Sequence, residues 1–105
     1  MEMNYATKLS NVLDVYNRIN ADENFSEFER NLFDRISFLS LNTRSRACSA
    51  GNNYFIKAFG KTEQEIEDAI WKLYDNGYIS ITLHFNGKDQ PTRFLRIRKS
   101  ELEEN

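Results

Sequence analysis

The chain has 105 residues, enough for one hydrophobic core and too few for two. Its 40% hydrophobic content, four Gly and one Pro exclude a low-complexity or disordered chain, and one Cys with one His excludes an internal disulfide and any zinc-site spacing. The formal charge of −2 excludes the uniformly basic footprint of a strong non-specific nucleic-acid binder.

Tyr5, Leu9, Val12, Leu13, Tyr16 and Ile19 recur at helical spacing and predict a first amphipathic helix over residues 5–19, closed by "NADEN". Ser26 followed by Glu29 is a capping box, and Phe28, Leu32, Phe33, Ile36 and Leu39 extend one apolar face, which predicts a second helix over 26–41. The stretch "NTRSRACSAGN" is small, polar and Gly-containing, the chemistry of a loop. A short helix is expected from Asn52 to Phe59, with Asn52 or Asn53 as its cap and Gly60 as its left-handed terminator. Thr62 and Glu65 form a second capping box, and Ile66, Ala69, Ile70, Leu73 and Gly77 lie on one side of the helix that it opens.

After Gly77 the period changes from helical to alternating. In "YISITLHF" Ile79, Ile81, Leu83 and Phe85 are expected to face the core, and "RFLRIR" turns Arg93, Leu95 and Ile97 to one side. "NGKDQPT" between them signals a hairpin with a loop longer than two residues. The predicted fold class is mainly α with a small β-hairpin wing, a winged helix-turn-helix with an additional N-terminal helix. As one domain over 1–105 it comprises that helix (1–20), the winged helix-turn-helix (21–99) and an acidic tail (100–105).

Charge alternates in sign by element. Residues 1–40 carry four bases and seven acids, 41–61 four bases and no acid, 62–75 one base and five acids, and 86–100 five bases and one acid. No apolar run approaches the roughly 20 residues needed to span a bilayer, and the N-terminus lacks the basic and hydrophobic regions of a leader, so a cytoplasmic protein without membrane association is expected. Cys48 reads as a small buried hydrophobe, reactive only if its loop exposes it. His84 reads as an exposed or cross-strand-packed side chain. No nucleophile and base, paired carboxylates, metal cluster or cofactor motif can be assembled, and no enzymatic activity is expected.

"NNYFIKAFGKTEQEIEDAIWKLYDNGYI" resembles the helix-turn-helix of phage replisome organisers and related replication-initiation proteins. In that pattern a pair like Phe59-Gly60 closes one helix, a residue like Thr62 caps the next, Ile66, Ile70 and Leu73 fill the core, and a run like Gly77-Tyr78-Ile79 leads into the wing. "MNYATKLSNVLDVYNRIN" is similar to the N-terminal helix of the same proteins, so the likeness covers about residues 3–98. Gln64 and Asp68 stand where the family is often basic, and Trp71 stands where it is usually charged.

The resemblance implies a non-enzymatic DNA-binding protein of a phage or other mobile element, acting in replication initiation or transcription in a bacterial host. Lys61, Thr62, Gln64, Lys88, Arg93, Arg96 and Arg98 are the candidate contacts to double-stranded DNA, with Lys57, Arg44 and Arg46 flanking the turn. A homodimer is expected, since two half-sites raise the affinity of a small domain, and Tyr5, Tyr16 and Trp71 are candidates for its interface. At 100° per residue, Gln64, Asp68, Trp71 and Asp75 fall opposite the core face of their helix. Asp can accept from cytosine N4, yet carboxylates on that face oppose approach to phosphates. The alternative function is therefore binding of a basic host protein through Glu67, Asp68, Trp71 and Asp75, as an inhibitor such as an anti-CRISPR.

Overall fold

Capping boxes three residues apart, Ser26 with Glu29 and Thr62 with Glu65, start two of the helices. The computed structural model describes residues 14–87 and 90–98, so residues 5–13 of the expected first helix, Lys88 and the acidic tail lie outside the described residues. The elements are a helical segment over residues 14–20 (α1), α2 (Glu27–Leu41), α3 (Asn52–Phe59), α4 (Glu63–Asp75), β1 (Ile79–His84) and β2 (Thr92–Ile97). The protein is thus mainly helical, with one antiparallel two-stranded hairpin.

Ser26 and Glu29 exchange hydrogen bonds at the start of α2: the Glu29 N–H donates to Ser26 Oγ at 3.2 Å and the Ser26 N–H to Glu29 Oε1 at 2.8 Å. Two of the N–H groups left unpaired by helix geometry are thereby satisfied. At the other end, Arg46, held at φ 56°, donates from Nη1 to the Leu41 carbonyl at 2.7 Å. Neither Asn52 nor Asn53 caps α3. Gly51 is the N-cap and, having no side chain, makes no capping bond, while the Asn52 amide is engaged with Glu67 and Arg93. Gly60 ends α3 at φ 65° and donates to Ile56 O, as a residue that tolerates the left-handed region should. α4 stops at Asp75, so Gly77 lies past it, at φ 79°. Gly77 N–H donates to Tyr74 O and Tyr78 N–H to Leu73 O, the paired bonds of a Schellman motif.

The core gathers Val15 and Ile19 of α1, Leu32, Phe33 and Ile36 of α2, Phe55 of α3, and Ile66, Ala69, Ile70 and Leu73 of α4. Full burial of each large apolar side chain contributes about 1.5–3 kcal/mol. Tyr78 closes the core where the chain enters the hairpin. Its ring stands edge-on to Phe25 and Phe33, and its hydroxyl donates to Asp22 at 3.1 Å. Tyr16 is half-buried against this cluster instead of standing clear of it.

The hairpin register pairs Ile79 with Ile97, Ile81 with Leu95 and Leu83 with Arg93. Only the half nearest the helices is covered. Ile79 and Leu95 are fully buried, whereas Leu83 is 52% and Phe85 66% exposed, which corrects the expectation that all four alternating residues of β1 line the core. Burial falls along β1 from Ile79 through the partly buried Ile81 to the exposed residues from Thr82 on. The "NTRSRACSAGN" segment also holds more structure than a loop. Cys48 bridges to Leu95 through backbone bonds of 2.7 and 2.9 Å, and Ser40 Oγ donates to Leu95 O. Residues 85–91 connect the strands, a loop of the expected length.

Candidate functional site

α4 lays Ile66, Ala69, Ile70 and Leu73 on the core, and this orientation exposes Gln64, Asp68, Trp71 and Asp75 together on the other side. Trp71 is 49% exposed, and its indole stands edge-on to Tyr74, ring centroids 5.5 Å apart. The acids of the helix have different employments. Glu65 is a cap: Thr62 Oγ1 accepts from its N–H at 3.1 Å, and its carboxylate accepts from the Thr62 N–H at 2.9 Å. The bonds from the Thr62 backbone and hydroxyl, with help from Lys61, hold its carboxyl below the ordinary value. Asp68 accepts from Gln64 Nε2 at 2.8 Å, one helical turn away.

Glu67 is a junction. Its carboxylate accepts from Trp71 Nε1 at 3.2 Å and from Asn52 Nδ2 at 2.9 Å, while Asn52 Oδ1 accepts from Arg93 Nη1 at 3.0 Å. Arg93 Nη2 also donates to the Ala50 carbonyl at 3.1 Å, and Arg93 Nε is buried with no hydrogen-bond partner. Burial lowers the Arg93 pKa and the Glu67 carboxylate opposes that shift, but an arginine remains charged regardless. A continuous chain of contacts thus joins the hairpin, through the start of α3, to the exposed aromatic pair of α4. Arg93 is a fastener of the hairpin, with one bond each from Nη1 and Nη2.

The remaining expected contacts divide. Lys61 Nζ sits 4.9 Å from the Phe28 ring centre, and the Arg96 guanidinium 5.8 Å from that of Phe94. Thr62 serves α4 through its capping bond, while Arg96 lies on the face of β2 opposite Arg93 and Leu95, and Arg98 follows just beyond the strand. His84 is exposed, tilted against Phe94 at 6.3 Å. Cys48 is buried, and burial raises its thiol pKa against the opposing effects of Ala50 and Arg93, so its thiolate character is low. Among the described residues there is no cluster of three or more metal-ligating side chains and no helix long and apolar enough to cross a membrane.

Tyr74 belongs to this surface but escaped the sequence reading, and Asn52, expected as a cap of α3, instead bonds Glu67 and Arg93. Tyr74, three residues after Trp71, was recoverable from helical spacing. The bonds of Asn52 were not, because its partners Glu67 and Arg93 lie 15 and 41 residues away. Comparison with family models, with curated proteins and with solved structures finds no match to this chain.

Proposed function

We propose that the protein is a non-enzymatic winged-helix DNA-binding protein of a phage or other mobile element, serving replication initiation or transcription, with α3 and α4 as its helix-turn-helix and the hairpin as its wing. The carrying observation is the placement of α4. It follows α3 by a three-residue turn containing a left-handed Gly60, buries one face, exposes the opposite one, and is followed directly by the hairpin. The Cys48 bridge supports the same arrangement, because it ties the segment before α3 to β2 and so orients the hairpin against the helices. Arg96, Arg98, Lys57 and Arg44 are the phosphate contacts in this reading. A homodimer would present two such faces to two half-sites.

The test is fluorescence anisotropy with a labelled random duplex at about 50 and 200 mM salt. Micromolar affinity that falls by orders of magnitude over this range, and that weakens in Arg96→Ala/Arg98→Ala, is the expected result. No binding at the lower salt overturns the proposal.

One observation favours a second reading, that the protein binds a basic host protein as an inhibitor. Trp71 and Tyr74 form an exposed aromatic pair beside Asp75, and aromatic side chains anchor protein interfaces. Loss of a host-protein complex in Trp71→Ala, with duplex binding absent, is the result that selects this reading.

A further inference from the structure

We propose that Asp68 is a positioning residue that fixes the Gln64 side-chain amide as a reader of adenine in the major groove. The inference rests on the DNA-binding reading above and explains why a carboxylate stands on the presented face of α4. Gln64 is the second residue of the helix, in the first turn, where a recognition helix meets base edges. Its Nε2 donates to Asp68 Oδ1 at 2.8 Å, and both side chains are exposed. A carboxylate only accepts, so the amide must turn its NH2 group to Asp68. That choice follows from donor chemistry and settles which end of the amide is nitrogen.

With one N–H committed, Gln64 has one donor and one acceptor, Oε1, left to present. Adenine offers their complement, an N6 donor beside the N7 acceptor, whereas guanine offers two acceptors, N7 and O6. An unrestrained glutamine can turn both N–H groups toward guanine. One held by Asp68 cannot, and its carbonyl oxygen would meet guanine O6. Asp68 therefore trades some attraction to phosphate for base selection, and basic groups elsewhere in the chain, Arg44 and Lys57 before α4 in sequence and Arg96 and Arg98 after it, supply the attraction.

The experiment is selection of sites from a randomised duplex pool with the full chain, followed by anisotropy on the selected site and on the same site with one adenine replaced by guanine. The protein is expected to prefer adenine at one position by about 5- to 150-fold. In Asp68→Ala that ratio should collapse to within about twofold while random-duplex affinity tightens, because a charge facing phosphates has been removed. A role of Asp68 in folding alone would move both affinities together and leave the ratio intact. Retention of the adenine preference in Asp68→Ala, or random-duplex binding by the unaltered protein with no adenine preference, overturns the proposal. Absence of binding to every duplex at low salt overturns the DNA-binding reading and this proposal with it.

Discussion

At the helix end of the hairpin, Ile79 and Leu95 are fully buried and the Cys48 backbone binds Leu95 from the side. At the turn end, Leu83 occupies the same face of β1 and, like Phe85 just beyond the strand, stands in the open. The alternating pattern is continuous across both ends, so it selects a face of the strand without saying how far the neighbouring layer extends. What holds the open end is polar. Arg93, opposite Leu83, reaches back to Asn52 and Ala50, and Asn52 reaches Glu67 on α4. One half of the hairpin is therefore fixed by exclusion of water and the other by one guanidinium with two hydrogen-bond partners.

The comparison breaks most visibly at Leu95. Leu95→Ala should cost about 2–5 kcal/mol in urea unfolding, since a fully buried leucine leaves a cavity that the surrounding helices fill only in part. A loss below about 1 kcal/mol would mean that the helices do not hold the near half in this way. Arg93→Ala should cost less, about 1–3 kcal/mol, by leaving Asn52 and the Ala50 carbonyl without their donor. Arg93→Lys should recover little of it, because an ammonium cannot reproduce a planar fork that bonds two acceptors. Trp71 fluorescence should shift in both variants, since Glu67 joins the indole to the same chain of bonds; an unmoved spectrum would separate α4 from the hairpin fastener.

Two smaller tests compare this fastener with those of the helices. Thr62→Ala removes a cap that works within three residues and should cost about 1 kcal/mol, read in thermal or urea unfolding. Glu29, which caps α2, also pairs with Lys72 of α4 at 3.0 Å. Burial pushes its carboxyl upward, but the Ser26 backbone bond, the bond to and charge of Lys72, and the Ser26 hydroxyl outweigh that and lower it below the ordinary 4.5. A carboxyl lowered in the folded state stabilises above its unfolded pKa. Its contribution should be complete at neutral pH and decline as pH falls from about 4.5 through the lower folded value. Glu29→Gln should flatten the acid limb of stability against pH; an unchanged limb would assign acid sensitivity to other groups.

The parts of the molecule that were legible beforehand are those set by neighbours in sequence. Ser26 with Glu29, Thr62 with Glu65, Gly60 as terminator and the Ile66, Ile70, Leu73 stripe all act within one or two helical turns, and they fix where the helices lie and which side of α4 is presented. Arg93 was legible as a basic residue on the core-facing side of its strand, but not as a fastener, because its partners lie 41 and 43 residues earlier in the chain. The Cys48 bridge involves a single residue and has no period to detect. For the candidate site, the face of α4 was readable, and the Gln64–Asp68 and Trp71–Glu67 bonds follow the i,i+4 spacing of that helix, whereas the Asn52–Glu67 bond spans 15 residues. Long-range polar contacts depend on where two elements come to rest, and residue spacing carries no such distance.

The smallest effect should come from Leu83→Ser. Leu83 lies on the same side of β1 as Ile79, four residues further along, yet it is 52% exposed where Ile79 is fully buried. Replacing it should change unfolding stability by no more than about 0.5 kcal/mol, as for surface positions without special contacts. A loss near 2 kcal/mol would show that the turn end is covered in solution, by another copy of the chain or by residues beyond those described. The concentration dependence of the unfolding midpoint separates these two outcomes, since only cover from a second copy is lost on dilution.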